Sequence, residues 1–232
     1  MYDEGMDRKI FMRYAVRELI GVATVAAALF IPAATWQWWQ AWAAVILTLA
    51  WVIATAWAIL RAHPALLAER LGPRGGAQRW DMVILSAMGL LQLLRYILAG
   101  LDHRMGWTTT FPPTLQIVGL LLAALGSALA VWATGSNAFF SQMVRLQADR
   151  GQRVVDSGPY AWVRHPAYFG LLLVDLSLPL LLNSLPALGI GLLEAVLLIV
   201  RTRLEDDLLR AGLDGYAEYS QRVHARLLPG IW

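Results

Sequence analysis

Apolar residues gather into six segments, at about 19–35, 41–60, 82–101, 115–134, 168–182 and 186–200, with polar stretches between them. A bilayer-crossing helix needs roughly 20 apolar residues, which the first four segments approach and the last two, at about fifteen each, do not. No charged residue stands between Glu18 and Arg61, a run long enough for two crossings. Pro32 and the cluster Trp36-Gln37-Trp38-Trp39-Gln40 interrupt that run, and tryptophan favours the membrane–water interface, so the pattern predicts a helical hairpin. A cleavable signal peptide ending near Ala33-Ala34 fits less well, because an equally apolar run follows at once. The last two segments are joined by the turn sequence Asn183-Ser184-Leu185-Pro186 and predict a tilted or incompletely spanning hairpin. The expectation is an all-α integral membrane protein with five to six transmembrane helices.

Composition agrees: hydrophobic residues fill 58% of 232 positions and charged residues 15%, too apolar for an ordinary soluble domain. The net charge of +3 does not point to nucleic acid, because the basic residues follow a membrane pattern. Seventeen of the nineteen lie in residues 8–17, 61–79, 145–164 and 201–226, and Arg95 and Arg104 are the others. Basic loops alternate with nearly uncharged ones, which predicts both termini on the cytoplasmic side. Cysteine is absent, removing disulfides, thiol nucleophiles and thiolate metal sites. The chain shows no zinc spacing, internal repeat or glycine-rich dinucleotide loop, and no metal is expected. Residues 1–134 read as transmembrane hairpins, with an irregular loop at 61–81, and 135–232 as a functional region holding the last hairpin and a C-terminal helix, within one structural unit.

The most informative stretch is GPYAWVRHPAYFG, residues 158–170. Gly158-Pro159 makes a tight turn, Pro166 suits the first turn of a helix, and the residue before a proline is pushed from helical geometry, so His165 falls at the cap. The first turn of that helix beside Arg164 would offer free N–H groups and a positive dipole end, an anion site at the membrane surface. A plainer reading makes Arg164 a charge anchor, His165 a cap, and Tyr160 and Tyr168 interface aromatics.

A second cluster, Arg201-Thr202-Arg203-Leu204-Glu205-Asp206-Asp207-Leu208-Leu209, follows the last apolar segment. It reads as a helix start, in which Glu205 stands one turn beyond Arg201 and could pair with it, or could meet a cationic ligand group. Downstream, Tyr216, Tyr219 and Arg222 could share a face closing over a ligand, or belong to an amphipathic helix lying on the membrane.

Taken together, Gly158-Pro159-Tyr160, Val163-Arg164-His165-Pro166, Tyr168 and Gly170, followed by Glu205-Asp206, Leu208-Leu209 and Tyr216 through Tyr219, resemble the isoprenylcysteine carboxyl methyltransferase family and its phospholipid methyltransferase relatives. The resemblance covers residues 137–232. It implies a membrane enzyme using S-adenosylmethionine in a cytoplasmic, C-terminal cofactor pocket. Carried over, Gly158, Pro159, Tyr160, Val163, Arg164, His165, Pro166, Tyr168, Glu205 and Asp206 would bind the cofactor. Arg164, His165 and Glu205 would also serve catalysis, and Tyr216, Tyr219 and Arg222 the substrate. Asp206 stands where many members have a second glutamate, which leaves its role less defined than that of Glu205. Such a cofactor fits the residues: its carboxylate suits Arg164, and its ammonium and sulfonium suit Glu205 and aromatic faces.

The acceptor implied is a lipophilic, membrane-dissolved molecule: a prenylated cysteine carboxylate, a phospholipid amine or another lipophilic nucleophile. Sterol-type reductases using NADPH share an Arg-His-Pro motif but usually read asparagine after the proline and an acidic residue after the glycine, where this chain has Ala167 and Leu171. A non-catalytic structural or transport protein would draw on Arg95, Asp175 and Glu194, ionisable residues inside predicted crossings, with Arg95 and Asp175 as a plausible buried pair. That alternative leaves the clusters around Arg164 and Glu205 unexplained.

Overall fold

A computed structural model describes residues 4–71, 75–228, 230 and 232. Gly72, Pro73 and Arg74, in the loop expected at 61–81, lie outside the described residues. The apolar segments form helices that run on past their apolar limits: α1 (Glu4–Ala33), α2 (Trp39–Ala62), the single turn α3 (Leu66–Glu69), α4 (Arg79–Met105), α5 (Pro113–Ser136), α6 (Pro166–Leu181), α7 (Leu185–Gly212) and α8 (Tyr216–Arg222). No strand occurs among the described residues. Among the described residues, five helices are long and apolar enough to cross a membrane: α1 from Arg8, α2, α4, α5 and α7. The 16 residues of α6 fall short, reaching about 24 Å at 1.5 Å per residue.

The expected short hairpin is therefore half right. Residues 201–212 do not start a new helix but continue α7, which runs unbroken for 28 residues. Local chemistry sets the ends. Prolines open α5, α6 and α7 where a missing N–H costs nothing. Gly106 ends α4 in the left-handed conformation at φ 66°. Ser184 caps α7, its hydroxyl accepting from the Ala187 N–H.

In a membrane, helices associate through close packing and polar contacts, since lipid is as apolar as leucine. Small residues supply that packing between α5 and α6: a Cβ on Gly126 or Gly170 would collide with the other glycine's carbonyl oxygen. Large apolar side chains such as Ile46, Ile53, Leu90, Leu121 and Val196 are left exposed on the outside, as lipid contact requires. The Trp36–Trp39 cluster forms the expected break between α1 and α2, with Ala34 at φ 52°; Trp38 itself is buried and stacked on His103 at 4.3 Å.

At the other end of the bundle, Arg17 of α1 donates to the Arg70 carbonyl and to Gln142. That end also collects the loop after α5, the last turns of α7, and residues 213–228. It is the polar pole, and the functional candidates gather there.

Candidate active site

The turn at Gly158 is built for proximity. Its φ of +60° favours glycine, and a Cβ there would stand 2.8 Å from the Ser136 hydroxyl. Residues Gly158–Ala161 then make one 3₁₀ turn that buries Pro159 and Tyr160. Beyond it the loop is held by the C-terminal segment: Arg164 N–H donates to Ala225 O at 2.9 Å and His165 N–H to Arg226 O at 3.0 Å. α6 starts at Pro166, as expected, but the anion site expected there is mostly consumed. Pro166 has no N–H, and the Tyr168 and Phe169 amides already donate to the His165 carbonyl at 3.1 Å. Nor does the His165 side chain cap the helix.

Asp206 organises the pole. It is wholly buried on α7 and takes both prongs of Arg164, Nε at 2.8 Å and Nη2 at 3.0 Å. It also accepts from the Tyr216 hydroxyl at 2.8 Å and Arg226 Nε at 3.0 Å, with Arg210 at 3.3 Å and His165 Nε2 at 3.3 Å. The remaining Arg164 nitrogen, Nη1, donates to the Val223 and His224 carbonyls at 2.7 and 2.9 Å. Four of its five N–H donors are thus taken, so no free pair is left for a two-pronged clamp on a ligand carboxylate. In this arrangement Arg164 ties the loop to α7 and to the C-terminal segment. Burial, together with the Asp206 charge, pushes the Tyr216 phenol far above its ordinary pKa, so it remains a donor to that carboxylate.

Glu205, next along α7 but on the adjoining face, is half-buried and accepts from the Tyr168 hydroxyl at 2.5 Å. The expected pair with Arg201 does not form. Arg201 instead crosses to α4, placing Nε 2.7 Å from Asp81 and its guanidinium 4.9 Å over the Tyr168 ring. Asp81 also accepts from the Val144 N–H at 2.7 Å, fixing the loop after α5 against α4.

These elements enclose a cleft of about 80 Å³ at the pole, open on one side. Of the residues singled out from sequence, Tyr160, Arg164, His165, Tyr168, Glu205, Tyr216 and Tyr219 line it. Gly158, Pro159, Val163, Pro166 and Asp206 are not among its lining residues. Arg222 is exposed and pairs with Asp156 at 2.9 Å, so the expected face of Tyr216, Tyr219 and Arg222 breaks up. Tyr219 instead donates to the Tyr160 carbonyl at 2.7 Å. A wall absent from the sequence reading is formed by residues 137–155, including Phe139, Phe140, Arg145 and Arg153. Arg145 is engaged by Glu69 and Asp149. Arg153 is exposed at the cleft and has no partner among the described residues. An aromatic pair, Phe139-Phe140, in a polar loop was the available signal.

A larger, more apolar cavity of about 460 Å³ lies beneath the cleft, inside the helix bundle. Phe140, Ser141, Met143, Ala167 and Tyr168 line both spaces. On α4, Gly89 and Gln92 are exposed where they line it, opposite Trp51 and Thr55 of α2. α2 and α4 pack on other helices and not substantially on each other. Among the described residues, no group of acidic or histidine side chains could hold a metal.

With this geometry stands a match to known proteins. The profile of the isoprenylcysteine carboxyl methyltransferase (ICMT) family matches residues 117–211, the span from α5 to the end of α7. The protein-S-isoprenylcysteine O-methyltransferase of Homo sapiens is 31% identical over 115 residues, covering 47% of this chain and 39% of that protein. Its Xenopus laevis counterpart is 29% identical over 144 residues, covering 56% of this chain and 49% of that protein. The match thus spans less than half the length of these curated relatives. Among solved structures, the eukaryotic intramembrane Ras methyltransferase ICMT aligns with a TM-score of 0.48 at 17% identity, over 94% of this chain and 86% of that one.

Proposed function

We propose that this chain, whose residues 117–211 carry the isoprenylcysteine carboxyl methyltransferase profile, is an integral membrane methyltransferase acting on a lipophilic carboxylate, with S-adenosylmethionine as methyl donor. The observation that carries this reading is the pair of cavities sharing a wall at Phe140, Ala167 and Tyr168. One is polar and opens at the pole; the other is more apolar and lies inside the helix bundle. A reaction between a water-soluble donor and a membrane-dissolved acceptor needs both, in register, because holding two reactants in line supplies most of the rate.

The cleft residues suit this donor. Glu205 has one carboxylate oxygen on Tyr168, and the other has no donor among the described residues, which suits an ammonium. Arg153, free at the cleft, suits the donor's carboxylate. Tyr160, Tyr216, Tyr219 and Phe139 offer ring faces to adenine and sulfonium. S-adenosylmethionine bound there supplies an electrophilic methyl group on sulfur. Tyr168 forms the boundary between donor and acceptor spaces, its hydroxyl held by Glu205 and its ring covered by Arg201. Arg201 lines the inner cavity beside that boundary; its Nε and Nη2 are taken by Asp81 and the Gln142 carbonyl, and its remaining nitrogen, Nη1, donates to the acceptor carboxylate. His165, stacked on Tyr168 at 5.7 Å, keeps that ring in place.

The names of the relatives suggest an S-prenylated cysteine as acceptor. Incubating the purified chain with methyl-labelled S-adenosylmethionine and either an S-prenylated N-acetylcysteine or a total lipid extract should yield a labelled methyl ester detectable by mass spectrometry. No labelled product from either would refute the reading. We also place the polar pole in the cytoplasm, on the bias of basic residues; a C-terminal reporter found on the far side would overturn that orientation.

A further inference from the structure

We infer that the inner cavity ends in a polar subsite, formed by Asp175, Glu194 and Gln92, that accepts a hydrogen-bond donor at the far end of a short acceptor chain. The inference rests on the methyl-transfer reading and adds to its acceptors a class of short carboxylates bearing a hydroxyl or ammonium group at the other end.

The cavity's depth can be read from two helices independently. On α6 the lining residues run from Tyr168 to Asp175, and on α7 from Arg201 to Glu194. Each interval is seven residues, about 10 Å of helix. Asp175, Glu194 and Gln92 are, on α6, α7 and α4, the lining residues farthest from the pole. They form the inner end, with Trp51 of α2 beside them.

That end is not neutral. Arg95, 0% exposed, places Nη1 2.8 Å from Asp175 Oδ1 and 2.6 Å from Glu194 Oε2. One guanidinium thus faces two carboxylates in the middle of the bundle, where each charge is costly to keep. A pin that served only to join α4, α6 and α7 would be satisfied internally. Here two carboxylates share one guanidinium, whose remaining side turns to Tyr96, and Glu194 Oε2, though close to Arg95, lacks hydrogen-bond geometry. Glu194 is 2% exposed and lines the cavity, so the excess carboxylate is turned to the one space left for a ligand.

A wholly apolar tail reaching this end would strip water from the carboxylates and return no hydrogen bond. A chain that spans the interval and ends in a donor meets every requirement: its carboxylate lies at Arg201, its apolar middle beside Leu171 and Met88, and its donor at Glu194 and Asp175.

The test uses the full chain in nanodiscs, with octanoate, ω-hydroxyoctanoate and ω-aminooctanoate as probes. Binding is measured by calorimetry against protein-free nanodiscs, and methyl-ester formation by mass spectrometry. The wild-type chain should bind both polar-ended compounds about tenfold more tightly than octanoate. Glu194→Gln should remove most of the preference for the ammonium compound. Gln92→Leu, outside the ion pairs, should reduce the hydroxyl preference and serves if the first variant does not fold. Equal or tighter binding of plain octanoate by the wild type overturns the subsite, whether or not octanoate is methylated. Preferential binding of the polar-ended compounds with no methyl ester from any acceptor keeps the subsite and overturns the reaction. No binding by any probe overturns the subsite, and the prenylated-cysteine assay then decides the reaction separately.

Discussion

Two buried ionic clusters stand about 18 Å apart along α7, at Asp206 and at Glu194, twelve residues at 1.5 Å each, and they are built on opposite principles. At the pole one carboxylate, Asp206, serves Arg164, Arg226, Arg210, Tyr216 and His165. In the bundle one guanidinium, Arg95, stands between two carboxylates, which outnumber it and line a cavity. The first is over-supplied with partners and closed to ligands; the second has capacity left over and faces a cavity. Buried charge is therefore not one category in this protein. Counting the hydrogen bonds separates the group that holds the fold from the group that can receive something.

The contrast predicts very different responses to loss of one charge. Asp206→Asn leaves Arg164 and Arg226 at the pole without their counter-charge, and breaking a buried pair in this way typically costs about 3–5 kcal/mol. Thermal unfolding in detergent should show a large drop in Tm, and limited proteolysis should release residues 213–232 first. A variant with wild-type Tm would mean that the arginines find other acceptors and that Asp206 is not the organising group.

Next in size is Arg164→Lys. Lysine keeps the charge but cannot reach both Asp206 oxygens and two carbonyls at once, because its single ammonium lacks the planar fork. Losing two of these contacts should cost about 1–3 kcal/mol. A positioning role predicts that Tm and donor affinity fall together. Weakened affinity at unchanged Tm would instead restore Arg164 as a direct ligand.

How much of this was legible beforehand depends on the kind of signal. The spans were readable because twenty apolar residues have few alternative fates; Tyr160, Arg164, His165 and Tyr168 stood out because they lie close together in a recognisable motif, and Glu205 because the family resemblance couples that motif to a distant acidic pair. The hub at Asp206 was not, since its partners come from 42 residues before it and 20 after it, and only the folded loop brings them together. The continuity of α7 was hidden by its charges: residues 201–207 look like an exit into water, yet Arg201, Thr202 and Asp206 are buried. The wall at 137–155 has no periodicity to betray it. Arg153 drew no notice because a lone arginine in a basic loop reads as membrane sidedness.

Glu205→Gln sharpens the comparison from the open side of the same helix. Glu205 is half-buried with one engaged oxygen, so its loss should spare Tm and weaken S-adenosylmethionine binding by about 1.5–3 kcal/mol, roughly tenfold to a hundredfold. Calorimetry with the cofactor gives both numbers' test in one titration. Unchanged affinity would leave Glu205 as an anchor for Tyr168 alone.

Glu194→Gln should be the mildest of the buried substitutions, and for a reason opposite to that at Asp206. Removing the Glu194 charge leaves Arg95 paired with Asp175 at 2.8 Å, one positive against one negative, so no ion is stranded. Replacing a buried ionic group without uncovering its partner is often close to neutral. The change in stability should stay within about 1 kcal/mol, measured as Tm in the same detergent as Asp206→Asn. If the two variants lose equal stability, then the Arg95 cluster is as fully committed to the fold as the Asp206 hub, and its spare hydrogen-bonding capacity has no reserve for a ligand.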